Sequence, residues 1–315
     1  MSGFKKVLVT TLIIASVSIG IGAYIILESG LGTGDIADNF RRLFSGNDIN
    51  INIGNSTEVK EDQSFNMADK KLILLETPLG DVEVKGYEGE EIRLTVEGQV
   101  PERYVDEYLK ISESQDELKI LFYDDVNNIN FTFGNANDLD IELLIPSEYI
   151  GELRLSNVSG AMTLEGLQAG EVHLENISGD LVLEDGRHEK VVFSTISGQF
   201  ISYSAVDVLE GETVSGRVTA TDVGESFEIG SISGSVSIVA RKLGGDSSVE
   251  TVSGSVEVEL TEETDMGYDL SSVSGRISVE NEEGTNESSQ SLKRTAQNGF
   301  TLDVSSVSGK ITVKY

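Results

Sequence analysis

The chain has 315 residues, of which 54 are acidic and 23 basic, giving a formal net charge of −31 at pH 7. A surface this acidic repels phosphate backbones and anionic headgroups, which argues against nucleic-acid binding; it suits a solvated, aggregation-resistant surface first and a cationic ligand second. The absence of cysteine excludes disulfides, thiolate metal sites and cysteine nucleophiles.

The N-terminal region is predicted to anchor the protein in the cell membrane. Residues 7–27 carry no charge, and as a helix they would be about 31 Å long, matching a hydrocarbon core of roughly 30 Å. Lys5 and Lys6 favour a cytoplasmic N-terminus (residues 1–6) and an extracytoplasmic C-terminal domain, although Arg41 and Arg42 argue against that orientation. A cleaved signal peptide is the alternative, but the long apolar run favours an uncleaved anchor.

A juxtamembrane segment and linker follow at residues 28–68. Residues 35–44 have the apolar spacing of a short helix, which either lies on the headgroups or simply links the anchor to the domain. Residues 45–67 are polar and have the composition of a spacer.

Alternation of apolar and polar residues, typical of strands, begins near residue 71. It recurs at 77–84, 92–96, 118–123, 130–133 and 139–145, and a helical turn is expected within 101–110. Because this pattern is less regular than the pattern after residue 150, residues 69–150 are predicted to form an N-terminal β cap with the first rungs.

From residue 151 to 315 a Ser-Gly step between two runs of alternating apolar residues recurs eight times, mostly 18 to 21 residues apart. A period near twenty is typical of a solenoid, in which stacked repeats bury a shared core. We therefore predict an all-β fold built as a β-solenoid, similar to a parallel β-helix. Glycine tolerates positive φ and serine hydrogen-bonds nearby backbone, so each step is predicted to be a structural turn. These turn residues are Ser159, Gly160, Ser178, Gly179, Ser197, Gly198, Ser215, Gly216, Ser233, Gly234, Ser253, Gly254, Ser274, Gly275, Ser308 and Gly309.

Apolar residues recur at fixed distances from each glycine. The positions seven and five residues before it, and two after it, are mostly apolar and are expected to point inward. The position two before it is always Val or Ile, and we expect this row to point inward as well. Gly211 departs from the pattern, since it stands where other repeats carry a large apolar residue.

The last two repeats are separated by a polar insertion at residues 281–298. Insertions in repeat proteins form loops, often on the binding face, so a contact site is predicted here, with a loop that binds nothing as the alternative. The final strand, residues 311–315, is expected to end the solenoid as an uncapped outer rung, with Lys310 and Lys314 discouraging edge pairing.

No catalytic, cofactor-binding or metal-binding residue is assigned. His173 and His188 fall at polar positions, where a solvated side chain is expected. Oxygen-rich segments at 124–128 and 135–140 lack the spacing of an EF-hand loop, so weak calcium binding there is the less favoured interpretation.

Several motifs together resemble a known family. They are the segment Thr-Pro-Leu-Gly-Asp-Val-Glu-Val at 77–84, the Leu-Ile-Pro step at 144–146 and the tandem Val/Ile-Ser-Gly repeats behind an N-terminal anchor. These resemble the bacterial putative-adhesin family of β-strand-repeat domains, whose function is unknown. The anchor and the acidic ectodomain are similar to membrane-anchored LiaG-type members, found with envelope stress-response systems of Gram-positive bacteria. The resemblance covers about residues 71–315, implies the β-repeat fold and supplies no catalytic residues.

The sequence therefore predicts a membrane-anchored, extracytoplasmic and non-enzymatic protein without a cofactor. Its solenoid would present a surface to an envelope protein or a wall polymer, in an adhesin-like or envelope-stress role. One alternative is a structural protein that assembles end to end through its outer rung. A less favoured one is a wall-polysaccharide hydrolase that uses carboxylates on the solenoid.

Overall fold

The computed structural model describes residues 56–123, 139–262, 265–282, 284–296 and 299–315. Within these ranges the regular structure is β-strand apart from one 3₁₀ turn at Glu102–Tyr104, which confirms the predicted all-β class. None of the described residues forms a helix long and apolar enough to cross a membrane. The expected anchor, the juxtamembrane segment through residue 55, the strand at 130–133, the segment 124–128 and most of the segment 135–140 lie outside the described residues.

The strands, in chain order, are β1 (Ser56–Asn66), β2 (Leu72–Leu79), β3 (Asp81–Tyr87), β4 (Glu91–Pro101), β5 (Leu109–Glu113), β6 (Glu117–Phe122), β7 (Leu139–Pro146), β8 (Glu152–Ser159), β9 (Met162–Glu165), β10 (Glu171–Ser178), β11 (Leu181–Glu184), β12 (Arg187–Ser197), β13 (Phe200–Ser202), β14 (Ala205–Ser215), β15 (Val218–Ser233), β16 (Val236–Ala240), β17 (Ser247–Ser253), β18 (Val256–Leu260), β19 (Gly267–Asn281), β20 (Gly284–Ser288), β21 (Ser291–Arg294) and β22 (Thr301–Lys314).

These strands stack into two faces of a solenoid, as predicted. The first face has the order β5-β6-β2-β8-β10-β12-β14-β15-β17-β22-β19-β21. The second has the order β1-β4-β7-β3-β9-β11-β13-β15-β16-β18-β22-β19-β20. Pairing is parallel along the middle of both faces and antiparallel at their ends, and the long strands β15, β19 and β22 take part in both faces.

The first rung, β2 with β3, already follows the corner pattern of the repeats. Thr77 lies opposite Asn157 and Leu79 opposite Ser159, so Leu79 and Gly80 take the place of a Ser-Gly step. Outside this rung, β5 pairs with β6, and β1 and β4 continue the second face beyond β7, all antiparallel. These strands cover the N-terminal end of the stack.

The core is filled by the inward rows of both faces. Residues seven and five before each glycine and two after it are buried in nearly every rung. At mid-stack the rings of Phe193 and Phe200 are stacked, with centroids 3.8 Å apart. Gly211 leaves room for this pair, because a β-carbon there would lie 1.9 Å from the Phe193 ring. The missing side chain is thus compensated by a large one in the neighbouring rung.

The C-terminal end corrects the expected order of rungs. The last strand, β22, is not the outer rung: it lies between β17 and β18 on one side and β19 on the other. Lys314 consequently lies between Glu259 and Glu280, whereas the sequence order would set these two carboxylates directly opposite each other. Opposite charges on adjacent strands are stabilising and like charges destabilising, which favours the exchanged order.

The polar insertion is also different from the expected loop. Its described residues form β20 and β21, which run back antiparallel along β19. Lys293 pairs with Asp269, and the Arg294 guanidinium donates a hydrogen bond of 2.7 Å to the Tyr315 hydroxyl. The insertion therefore covers the outer rung with two short polar strands, so the end of the stack differs from the bare final strand expected from the sequence.

The exchanged order can be tested directly because the chain has no cysteine. Glu250 lies opposite Ser305, which in turn lies opposite Ser271, and none of the three is buried. With strands about 4.8 Å apart, Glu250→Cys is within disulfide reach of Ser305→Cys but about 10 Å from Ser271→Cys. On mild oxidation we expect E250C/S305C to form an intramolecular disulfide and E250C/S271C to remain reduced, as measured by mass spectrometry of non-reduced digests. The reverse pattern would restore the sequence order.

Candidate functional site

The corner between the two faces is built on a column of glycines. In spatial order they are Gly80, Gly160, Gly179, Gly198, Gly216, Gly234, Gly254, Gly309 and Gly275. A β-carbon on any of them after the first would lie 1.7 to 2.1 Å from the carbonyl oxygen of the glycine before it. Six of the eight repeat glycines also have φ between +128° and +155°, which side chains disfavour. The corner thus excludes a side chain for two independent reasons.

The serine beside each glycine forms a ladder along this corner. The structure aligns the eight predicted serines rung by rung, with Ser308 between Ser253 and Ser274. All eight are exposed. The carbonyl oxygens of six of them accept a hydrogen bond from the glycine of a neighbouring rung, as in Gly254 N to Ser308 O at 3.1 Å. The expected hydroxyl bonds to backbone are not made within the described part of the chain, so the hydroxyls face outward without a protein partner.

A buried polar row lies just inside the corner, three residues before each glycine. It consists of Asn157, Asn176, Thr195, Thr213, Ser231, Thr251, Ser306 and Ser272. The Asn157 amide donates to the carbonyl of Gly80 at 2.9 Å, and the Asn176 amide to that of Gly160 at 3.0 Å. The six hydroxyls of the row have no hydrogen-bond partner among the described residues. Asparagine therefore ties two corners to the preceding rung, while Ser and Thr fill the same place without that bond.

The Val/Ile row two residues before each glycine was expected inside, and this expectation is wrong for every member except Ile177. Because side chains alternate along a strand, the burial of the polar row turns the next residue outward. The resulting aliphatic ridge consists of Val158, Ile177, Ile196, Val214, Ile232, Val252, Val307 and Val273. Val252, Val307 and Val273 are 43%, 49% and 80% exposed, whereas Ile177 is buried and the other four are half-buried.

The serine ladder and the aliphatic ridge lie side by side as one stripe, here called the corner stripe, in which every residue except Ile177 is exposed or half-buried. A quarter of the chain is charged, yet none of the sixteen positions of the stripe is. Glu212 lies beside the stripe, two residues before the ridge residue Val214. Its pKa is raised, first by burial and then by the negative charge of Glu228. The stripe is therefore a neutral, regular surface on a strongly acidic molecule.

The two histidines differ from each other. His173 is partly exposed on the first face, with its Nε2 3.0 Å from the Glu171 carboxylate and 3.5 Å from that of Glu152. These three residues could together face a metal ion, but the Arg154 Nε lies 2.5 Å from the same Glu152 oxygen, which is thereby neutralised by a cation. We therefore interpret the trio as a surface ion-pair network.

His188 was expected to be solvated, and this is wrong. It is 1% exposed, its Nδ1 lies 3.2 Å from the carbonyl oxygen of Ala169, and burial lowers its pKa. The sequence gives no sign of this, because His188 stands among charged residues at the start of β12.

A family model described as Toastrack DUF4097 matches residues 70–314. No curated protein matches the chain.

Among solved structures, a "putative cell adhesion protein" from Clostridium sporogenes is 16% identical, with 82% of this chain and 99% of that chain covered and a TM-score of 0.32. A "putative adhesin" from Bacteroides fragilis is 10% identical over 82% and 97% of the two chains, with a TM-score of 0.46. A "putative lipid binding protein" from Parabacteroides distasonis is 14% identical over 81% and 96%, with a TM-score of 0.41. None of these names describes an enzyme.

The two constraints on the glycine column can be separated by three substitutions. Gly254 has φ +147°, and a β-carbon there would lie 1.7 Å from a carbonyl oxygen; Gly216 has only the close contact, at 1.9 Å; and Gly284 has φ +136° with nothing within 4 Å. We expect Gly254→Val to lower the free energy of unfolding most, by about 3 kcal/mol or more, and the two single-constraint variants each by about 1 to 3 kcal/mol. Denaturant unfolding measures this, and a Gly254→Val cost no greater than that of Gly284→Val would refute the close-packed corner.

Proposed function

The chain belongs to the Toastrack DUF4097 family, and from that premise we propose that it is a non-enzymatic, adhesin-like protein of the cell envelope whose corner stripe binds a neutral wall glycan. The observation that carries the proposal is the stripe itself, with eight outward hydroxyls beside eight aliphatic side chains and no charge. The name of the family and the names of its structural relatives indicate no enzymatic activity.

The chemistry of the stripe matches a carbohydrate polymer better than a charged partner. Serine hydroxyls both donate and accept hydrogen bonds, as sugar hydroxyls do. The aliphatic ridge offers apolar contact to the C–H faces of sugar rings, whose burial is favourable. Rungs about 4.8 Å apart repeat the same pair of groups along the corner, so a polymer of regular sugar units can bind each rung in the same way.

Charge narrows the choice of polymer. The chain carries a net charge of −31, so phosphate-rich wall polymers and anionic lipid headgroups are repelled at long range. A neutral glycan experiences no such repulsion and meets a neutral stripe.

The anchor expected from the sequence gives this binding a location. We propose that residues 7–27 span the membrane with residues 1–6 in the cytoplasm, so that residues 28–55 connect the anchor to the solenoid outside, within reach of the wall. The support is the uncharged run of 21 residues behind Lys5 and Lys6. Residues 56–66, expected from the sequence to belong to the linker, form β1 of the solenoid instead.

Glycan binding is tested with the full-length chain and purified wall glycan stripped of its phosphate polymers. The variant V252D/V307D/V273D places three charges on the most exposed part of the ridge, and we expect its apparent affinity in cosedimentation to fall at least about tenfold, equivalent to about 1.4 kcal/mol. The matched control I150D/Y203D/F300D changes three exposed apolar residues away from the stripe, at 82%, 57% and 42% exposure, and should bind as the unaltered protein does. Equal losses in both variants would reject the stripe as the site. Conversion of a dimer to a monomer by the ridge variant alone would identify the stripe as a contact between copies instead.

The proposed orientation is tested by protease treatment of cells stripped of their wall. We expect the solenoid to be cleaved from intact cells, in the same yield as after lysis, while a cytoplasmic control protein stays protected. Protection of the solenoid until lysis would place it in the cytoplasm and reject the envelope role.

A further inference from the structure

The N-terminal end of the solenoid has a small cavity between its two faces. It is lined by β1 of the second face and by residues 105–111, which include the start of β5 of the first face, and its volume is about 180 Å³. Val105, Leu109 and Ile111 form an apolar side, while Glu61, Gln63, Asp106 and Tyr108 supply polar groups. None of the seven lining residues is basic.

The polar residues of β1 occupy positions that should be apolar. Val59, Glu61, Gln63 and Phe65 share one side of the strand, and Val59 and Phe65 are in the core. The alternation therefore turns the half-buried Glu61 and Gln63 toward the space between the faces, where a carboxylate and an amide gain free energy from a hydrogen-bonding partner. Departures of this kind from local patterning are typical of functional positions.

Tyr108 gives a second, independent indication that the cavity can receive a polar group. Its side chain is 4% exposed, it lines the cavity, and its hydroxyl has no hydrogen-bond partner among the described residues. Burial, and then the nearby charge of Glu61, raise the pKa of this tyrosine to about 12, so the hydroxyl keeps its proton and both of its lone pairs. A buried polar group without a partner normally has a bound water, ion or ligand group to satisfy it.

We propose that this cavity binds a primary ammonium group on a short aliphatic stem. An ammonium has three N–H donors and no acceptor. The oxygen atoms of Glu61, Gln63, Asp106 and Tyr108 can accept the hydrogen bonds that these N–H groups donate. The aliphatic stem would pack on Val105, Leu109 and Ile111. This site lies away from the corner stripe, and the inference does not rest on the proposed glycan binding.

A divalent metal ion suits the cavity less well. Calcium takes six to eight oxygen ligands at about 2.3 to 2.6 Å, and among the described residues the cavity offers two carboxylates and an apolar wall of Val105, Leu109 and Ile111. That wall is a favourable contact for an organic cation and none for a bare ion. The volume is also below the roughly 300 to 1,000 Å³ of sites for drug-sized ligands, so the end of a side chain or of a polymer substituent fits better.

The test is a methyl NMR titration of the full-length chain with butylammonium, followed on the methyl groups of Val105, Leu109 and Ile111. We expect saturable shifts with butylammonium and none with butanol, which has the same stem without the charge. Equal shifts with butanol would show an apolar crevice only, tighter binding of calcium at the same methyls would show a metal site, and no saturable shift would show a water-filled cavity; each overturns the proposal.

Variants connect the shifts to the lining groups. Glu61→Gln should weaken binding at least about tenfold because it removes the charge, and Tyr108→Phe about fivefold because it removes only the hydroxyl. Glu58 lies on the outward side of the same strand, so Glu58→Gln removes an equal charge without disturbing the fold. This variant should change binding less than about twofold. A loss with Glu58→Gln equal to that with Glu61→Gln would reduce the effect to general charge attraction and overturn the site.

Two ammonium sources are then compared by displacement of butylammonium. Nα-acetyl-lysine methylamide represents a lysine side chain, and alanine methyl ester represents an aminoacyl ester on a polymer. The stronger competitor identifies the source, and failure of both would overturn the cavity as a recognition site.

Discussion

The close approach of one corner glycine to the next is the contact on which the solenoid depends. The carbonyl oxygen of each corner glycine lies where the next one would carry a β-carbon, so the corners pass over each other at strand spacing. This contact keeps both faces in register through the bend, with Ser178 opposite Ser159 on one side and Leu181 opposite Met162 on the other. It also follows the exchanged rungs, since Gly309 contacts Gly254 and Gly275 contacts Gly309.

The repeat made the architecture predictable. The site was harder to predict, because the inward orientation of the third residue before each glycine was not recognised. The residues seven, five and three positions before the glycine lie on the same side of the strand. The row three positions before it is polar, as at Thr195 and Thr251, so its composition wrongly indicates an outward orientation. The Val/Ile row next to it looks like core by composition alone. The signal was nevertheless present, because a strand cannot turn both Val249 and Val252 inward without a break in its alternation. Assigning the inward residues by strand alternation rather than by hydrophobicity would have predicted the aliphatic ridge.

The order of the last rungs could not be predicted from the repeat, because the two strands are nearly the same. Residues 269–280 and 303–314 differ mainly by exchanges such as Leu270 for Val304 and Arg276 for Lys310, so either strand fits either place by burial. Two features distinguish them: the last position of each segment, which is Glu280 in one and Lys314 in the other, and the insertion that follows β19. Lys314 lies between Glu259 and Glu280 and so reduces the repulsion between these carboxylates. β20 can turn back directly along β19 only where β19 has a free edge. A parallel neighbour on that edge would exclude the hairpin.

An acidic solenoid has to keep its stacked strands together despite self-repulsion, and it does so by keeping charge off the corner and the core. The rungs carry their acidic groups on the outer sides of the faces, where water screens them and where cross-strand pairs such as Lys190 with Glu210 offset part of the repulsion. A long uncharged row facing water and the inward-facing carboxylate of Glu61 both depart from this arrangement. The first adds exposed apolar surface, and the second turns a half-buried carboxylate toward the interior. A partner that covers the ridge, or a cation that pairs with Glu61, would recover free energy that the unbound fold forgoes, which is why both proposals place binding there.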